Sequence, residues 1–343
     1  MTKPDPIPKF VEIRPSAAIS QAAASVAEQT SEPLDWVDQF LADREIRPNT
    51  LKMYAWQLRR FQRWLKYKPW PDVTENDLTA YKNYLKTKPT KSGSTGLKPA
   101  SINQALAATQ SFYKWLYIRR YVTFNPALTI EMSTPSPPKP KDLEISTIHE
   151  LDEGLADRGQ LCTRDTAIVW VLKHGLRASE ISALNVGDYK EQALQVENAK
   201  WGSDGLAPLS PDACFAIESY LGWCLAQGFD MSPTAPLFRS QSNRNYGARM
   251  SYQGIYQMVK DLAAISGLTE ESIHPHRYRH TFGTQMVLEN VPPAFAQKLM
   301  RNKSMQSFDR YTKWAVEKKA VDAFKKVVEQ SESGLFGSSK HES

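Results

Sequence analysis

The stretch EMSTPSPPKPKD, residues 131–142, carries four prolines within six positions: Pro135, Pro137, Pro138 and Pro140. Each proline lacks a backbone N–H and fixes φ, so neither a continuous helix nor a central strand crosses this segment. Proline-rich sequence instead forms a stiff, extended spacer. A chain of 343 residues is already long for one domain. The expectation is therefore two folded bodies, 33–130 and 144–328, joined by a linker at 131–143. Outside them lie an N-terminal tail, 1–32, too poor in large apolar groups to build a core, and a flexible C-terminal tail, 329–343.

The first body reads as helical throughout. LDWVDQFLADR places Trp36, Val37, Phe40 and Leu41 at helical spacing. PNTLKMYAWQLRRFQRWLKY follows, with Asn49 as its N-cap and Leu51, Tyr54, Leu58, Phe61, Trp64 and Leu65 on one face. TENDLTAYKNYLKT opens on a Thr/Asp capping signal, and ASINQALAATQSFYKWLYIRR supplies a fourth helix after a Gly/Ser/Lys loop. Trp56, Trp64 and Trp115 are read as core residues rather than base-stacking platforms. Between Leu34 and Leu128 the chain has 16 Lys+Arg against 7 Asp+Glu. That excess is larger than the net charge of +6 for the whole chain. A basic balance is compatible with a nucleic-acid partner without establishing one. Lys52, Arg59, Arg60 and Arg63 lie on and around one helix face. They are candidate contacts to a nucleic-acid backbone, with a solvated face as the plain alternative.

The second body mixes helices with a short hairpin. TRDTAIVWVLKHGL is an apolar helix ending at Gly175, and ASEISALNVGDY begins another. ALQVENAKWGSDGLAPLS reads as two strands around a turn. SPDACFAIESYLGWCLAQG, PPAFAQKLM and SMQSFDRYTKW are helices, and AVEKKAVDAFKKVVEQ is a separate amphipathic one. The overall class is mainly α with a small β-sheet.

Three histidines and two arginines crowd into HPHRYRH, residues 274–280. Pro275 suits the first helical position. His276, Arg279 and His280 then share one face while Arg277 points elsewhere. A helix start with free N–H groups attracts anions, and added cations make it a phosphate site. Taken alone, the stretch leaves three readings open: phosphate binding, a metal site, or a surface helix with scattered charges. Zinc needs further ligands that the sequence does not offer. Cys162, Cys214 and Cys224 form no CxxC pair, which excludes a zinc ribbon and suits a reducing compartment. No apolar run is long enough to span a membrane, and the proline-rich, polar N-terminus is no signal peptide. The expected location is cytoplasmic, associated with the nucleoid.

The combination of HGLRASEISALNVGDY, HPHRYRHTFGTQMV and MRNKSMQSFDRYTKW, in that order, resembles the three catalytic boxes of the tyrosine recombinase (phage integrase) family. The hairpin segment resembles the family's β-hairpin. The likeness spans roughly residues 33–325 and is of the simple Xer/Cre-like type. A tail of 32 residues is too short for the separate arm-binding domain of complex integrases. The resemblance implies an N-terminal helical core-binding (SAM-like) domain and a C-terminal α+β catalytic domain, which clamp duplex DNA between them.

It also implies residue roles. Arg177 and Arg279 clamp the nonbridging oxygens of the scissile phosphate, and Glu180 orients Arg177. Lys200 is the general acid on the leaving 5′ oxygen. His276 assists proton transfer, His280 is a structural hydrogen-bonding residue, and Tyr311 is the nucleophile. The implied reaction is DNA cleavage and rejoining through a 3′-phosphotyrosyl bond, with no cofactor and no metal. The implied partners are double-stranded DNA with inverted-repeat core sites and three further copies of the chain, a tetramer on paired sites. General physics agrees: fixed cations stabilise charge gathering on phosphate oxygens, and arginine suits bidentate phosphate binding.

One position departs from the pattern. Asn302 stands nine residues before Tyr311, where the family has His or sometimes Trp, and Met300–Arg301 replaces Leu-Gly. Asparagine donates hydrogen bonds but holds no titratable proton. Either Arg301 compensates or the register differs slightly, and the expectation is reduced cleavage rather than its loss. The rival readings are a sequence-specific DNA-binding regulator with a weakened active site, and a type IB topoisomerase-like relaxing enzyme.

Overall fold

The computed structural model describes residues 35–90, 93, 95–134, 142–197, 204–268, 272–302 and 305–337. The expectations for the tail 1–32, for residues 135–141 of the linker and for Lys200 lie outside the described residues. The chain divides into two compact units, Met1–Ser136 and Pro137–Ser343.

The first unit is built from α1 (Trp36–Ala42), α2 (Pro48–Trp64), α3 (Glu75–Thr87) and α4 (Pro99–Ile118). Asp35 caps α1 by accepting the Val37 N–H at 3.0 Å. α2 begins two residues earlier than Asn49 predicts: Arg47 is the N-cap and Pro48 takes the first helical position. Proline there has its φ already set and gives up only an N–H that lacks an intrahelical partner. The Thr/Asp signal of α3 is a full capping box, with the Asp77 carboxylate accepting the Thr74 N–H at 2.8 Å. Along α2, Leu58 and Phe61 are buried, and along α4 Ile102, Leu106, Thr109, Phe112 and Leu116 are buried at three- and four-residue steps. These faces meet around an aromatic centre in which Phe112 packs edge-on to Phe40 at 5.3 Å and to Trp70 at 4.8 Å. Such pairs add about 0.5–1.5 kcal/mol beyond the area they bury. Trp115 joins this core, and Trp64 packs partly against it. Trp56 does not: it is 54% exposed.

The second unit contains α5 (Ile145–Glu153), α6 (Cys162–Lys173), α7 (Ala178–Ala183), a sheet of β1 (Tyr189–Lys190), β2 (Ala193–Val196) and β3 (Gly205–Pro208), then α8 (Pro211–Ala226), α9 (Tyr252–Ile265), α10 (Pro275–Leu288), α11 (Pro293–Leu299) and α12 (Met305–Gly337). α6 is its centre. Ala167, Ile168, Val169, Val171 and Leu172 are all fully buried, so this helix is apolar on every side, as one packed against several neighbours must be. Its first turn buries Asp165 between Arg158, at 2.7 Å, and Arg164, at 2.7 Å. The strands are antiparallel in the order β1-β2-β3, with Leu194 opposite Ala207 and Val196 opposite Gly205.

α12 differs from the sequence expectation of a short helix followed by a separate amphipathic one and a flexible tail. It runs without a break through Gly337, past the expected boundary at residue 329, because no glycine or proline interrupts residues 305–333. Its first turns sit in a small second core of Ala296, Met300, Phe308 and Tyr311, packed against Phe282, Met286, Val287 and Val291.

Candidate active site

The site forms where the ends of α6, α10 and α11 meet inside the second unit. α6 stops at His174, and Gly175 follows with φ of 78°. Only glycine suits this point twice over: the backbone is left-handed, and a Cβ would stand 2.5 Å from the Phe282 ring. The turn releases the Gly175 carbonyl, which accepts a hydrogen bond from Arg279 Nη1 at 2.5 Å. It also sets Arg177 as the N-cap of α7. His174 pins the same corner. Its Nδ1 meets the Trp170 carbonyl at 2.7 Å, while its Nε2 accepts the Ser210 N–H at the start of α8 at 2.9 Å. This pair of bonds fixes the Nδ1–H tautomer, and burial pushes the ring's pKa below the usual histidine value. Sequence reading passed over His174, although its place beside the Gly-Leu-Arg of the first box was a usable signal.

Glu180 lies in the first turn of α7 and is buried. It accepts the Arg177 backbone N–H at 2.9 Å and pairs through Oε1 with the Arg177 guanidinium. Its other oxygen, Oε2, pairs with Arg301 Nη2 at 3.0 Å. Burial pushes the Glu180 carboxyl up, but Arg301 first, and then Arg177, outweigh that and hold it below the usual value. The register of the third box brings Asn302 to the two arginines. Its Oδ1 accepts Arg279 Nη2 at 2.8 Å and faces Arg177 Nη2 at 3.4 Å. The carboxamide oxygen, rather than its N–H, therefore faces the guanidinium groups; Nδ2 meets Met300 Sδ at 3.9 Å. Asn302 is itself fixed by Gln297, whose side chain donates to the Asn302 carbonyl at 2.9 Å.

Arg279 is almost fully buried and also donates to the Met300 carbonyl. Burial, and then the positive charge of Arg177, pull its pKa down to about 9. A guanidinium loses solvation in such a place, and it regains that energy only against an anion or several carbonyls. The arrangement gathers three arginines around one carboxylate. It is chemically suited to an added anion.

Pro275 starts α10 as expected, with His274 as N-cap. His276 is exposed and His280 half-buried, with ring centroids 4.6 Å apart; His280 lies 5.4 Å from the Tyr311 ring. Tyr311 is 3% exposed and lies close enough to Arg279 to act on its charge. The close approach of α12 to α10 depends on Gly283, where a Cβ would stand 2.8 Å from Met300 Sδ and 3.0 Å from Tyr311 Cδ1. His274 stacks near Tyr256, and Arg277 donates to the Asp142 carbonyl at 3.0 Å. The structure thus brings Arg177, Glu180, Arg279, Asn302 and Arg301 together, with His280 and Tyr311 alongside. Among the described residues no cluster of His, Cys, Asp and Glu has the form of a metal site.

The four basic residues of α2 have separate surroundings in the first unit. Arg59 pairs with Asp38 at 2.6 Å, and Arg60 lies 4.7 Å over the Trp56 ring while donating to the Tyr81 hydroxyl at 3.0 Å. Lys52 and Arg63 are exposed and, with Trp56, Arg59, Gln62 and Tyr67, border a hollow of roughly 530 Å³.

Comparison with known proteins places these features in context. The model of the Phage integrase family matches residues 144–318, and that of the phage integrase N-terminal SAM-like domain matches residues 35–120. The tyrosine recombinase XerC of Shewanella amazonensis is 26% identical over 293 residues, which is 84% of this chain and 92% of the relative. The tyrosine recombinase XerD of Proteus mirabilis is 28% identical over 295 residues, 83% of this chain and 89% of the relative. Among solved structures, the Tn1549 transposon integrase in complex with circular intermediate DNA superposes with a TM-score of 0.63 at 19% identity, over 80% of this chain and 93% of that one.

Proposed function

This chain belongs to the phage integrase family, and on that premise we propose that it is a site-specific DNA recombinase acting through a 3′-phosphotyrosyl intermediate. The observation that carries this reading is the convergence of Arg177 and Arg279, more than a hundred residues apart in sequence, on the Asn302 carboxamide with Glu180 behind Arg177. The two XerC and XerD relatives, matched along most of their length, support it.

Arg177 and Arg279 take the nonbridging oxygens of the scissile phosphate. Their charge offsets the negative charge that builds there as phosphorus becomes five-coordinate, and each such donor is worth about 3 kcal/mol. The Tyr311 oxygen attacks phosphorus while the bond to the 5′ oxygen breaks. A phenol is a weak nucleophile near neutral pH, so its proton must leave as the bond forms; His276 assists that transfer. Lys200 gives its proton to the leaving 5′ oxygen. The new ester keeps the energy of the broken one, so a 5′ hydroxyl reverses the step on the same or another strand without ATP. Asn302 holds the two guanidinium groups in register, and His280 supports the tyrosine side of the site.

The partner is double-stranded DNA with inverted-repeat core sites, on which four copies assemble. Residues 33–130 serve as the core-binding domain, with Lys52, Arg59, Arg60 and Arg63 toward the backbone, and 144–328 as the catalytic domain. The protein acts in the cytoplasm on nucleoid DNA; no helix among the described residues is long and apolar enough to cross a membrane.

The test uses a library of randomised duplexes, each with a nick that traps the cleaved strand. Wild type should form covalent protein–DNA product and enrich one core sequence, and Tyr311→Phe should form none. A wild type that binds a duplex tightly yet never becomes linked to it would make the chain a DNA-binding regulator. Covalent product spread over sequences without preference would make it a relaxing enzyme.

A further inference from the structure

Arg301 is placed at some cost. Its backbone has φ of 51°, in the region that favours glycine. Its side chain is 2% exposed. Nη2 pairs with Glu180 Oε2 at 3.0 Å and Nη1 donates to the Leu299 carbonyl at 3.0 Å. Nε is buried with no hydrogen-bond partner among the described residues. A left-handed backbone, a desolvated charge and an unpartnered N–H are three penalties at one residue. Stability alone would favour glycine here, so the guanidinium has another use.

That use is readable from its neighbours. Glu180 has two oxygens and two guanidinium partners. Oε1 holds the Arg177 side chain, and Oε2 is shared between Arg301 and the Arg177 backbone N–H. With Arg301 present, Oε2 is satisfied and the carboxylate grips the Arg177 guanidinium at one end. The other end, Nη2, extends toward Asn302 at 3.4 Å, a weak contact that phosphate can replace. Without Arg301, Oε2 is short of a donor and competes for the Arg177 guanidinium. The stem of Arg301 also passes the first residue of β3, at the loop end of the β2–β3 hairpin, with Cγ 3.6 Å from where a Gly205 Cβ would stand.

We propose that Arg301 is a positioning residue of the recombinase site, a buried cation that holds Glu180 in its ionised, singly committed state so that Arg177 presents its outer edge to phosphate. This rests on the reading of the chain as a recombinase. It acts through Glu180 and needs no contact with DNA. The charged groups facing Glu180 are Arg301, Arg177 and Arg279, and removing the first leaves two that are needed elsewhere.

The experiment measures single-turnover cleavage of the nicked core duplex recovered by the library selection, alongside duplex affinity. Arg301→Met should slow cleavage about 10- to 100-fold, the scale of a displaced catalytic group, with affinity unchanged within about twofold. Arg301→Lys should recover much of the rate. The acid limb of the pH–rate profile should move to higher pH in Arg301→Met, because Glu180 protonates more readily without its strongest neutralising neighbour. In a Glu180→Gln background, Arg301→Met should cost little more. A wild-type rate in Arg301→Met, losses that multiply in the double variant, or an unmoved acid limb would overturn the proposal. If Arg301→Met does not fold, the Lys variant and the double variant, in which the Arg301 cation and its Glu180 partner are removed together, decide it by the same criteria. A wild type that never links to DNA would refute the recombinase reading instead, before any Arg301 variant is compared.

Discussion

Replacing Asn302 with Asp changes no heavy-atom shape and puts a negative charge between two guanidinium groups. The Asn302 oxygen lies 2.8 Å from Arg279 Nη2 and 3.4 Å from Arg177 Nη2. At an effective dielectric constant near 20, unit charges about 3 Å apart attract by about 5 kcal/mol, most of which desolvating the new carboxylate consumes. A net gain of about 1–2 kcal/mol remains, comparable to a hydrogen bond to a charged group. For a cooperative unit of this size that raises the melting temperature by about 3–6 °C. Cleavage moves the other way. The added charge sits about 5 Å from any phosphate the arginines clamp, a repulsion of about 3 kcal/mol on the same scale, or more than a hundredfold in rate. The assay pairs thermal unfolding of the free protein with single-turnover cleavage of the selected duplex. Asn302→Asp should be more stable and at least about 100-fold slower. A variant that is both less stable and within tenfold of the wild-type rate would refute the placement of Asn302 between the arginines.

Two further outcomes follow from the packing and from the surface. Gly283→Ala forces a methyl group to within 2.8 Å of Met300 Sδ and 3.0 Å of Tyr311 Cδ1; denaturant titration should show a loss of about 1–3 kcal/mol, and cleavage should fall with it as α12 shifts. Lys52→Ala and Arg63→Ala should each weaken duplex binding and lower the salt-dependence slope by about one. Arg60→Ala should change the slope much less, because that guanidinium already lies over Trp56 and bonds to Tyr81; equal slopes for all three, measured by binding across a salt series, would contradict this.

Local signals in the sequence led to local structure. Pro275 at a helix start, the Thr74–Asp77 capping box and the hairpin ending at Pro208 are each decided within a few residues, where turn and cap chemistry dominates. The mainly helical class followed from periodicity. What escaped was set at a distance. Trp56 reads as core by residue type, yet the inward face of α2 is set by Gln57, Leu58 and Phe61, and that leaves Trp56 outside. Asn302 read as a donor to phosphate, but the two guanidinium groups that claim its oxygen come from α10 and from the residue before α7. Arg301 read as a substitute for a missing histidine. Its actual partner, Glu180, lies far away in the chain, and no spacing rule connects them. The length of α12 was lost for a simpler reason: a break was expected where no residue enforces one.

The corner at His174 bears on how any of these experiments is read. The chain has six histidines, and a pH–rate curve through the neutral range invites assignment to whichever one stands near the phosphate clamp. His174 stands three residues from Arg177, yet its ring is committed at both nitrogens and its proton affinity is depressed. It gains its proton at a lower pH than an ordinary histidine, and only by giving up the bond that Nε2 accepts from Ser210. The helix junction that aims the first arginine is thereby held against protonation.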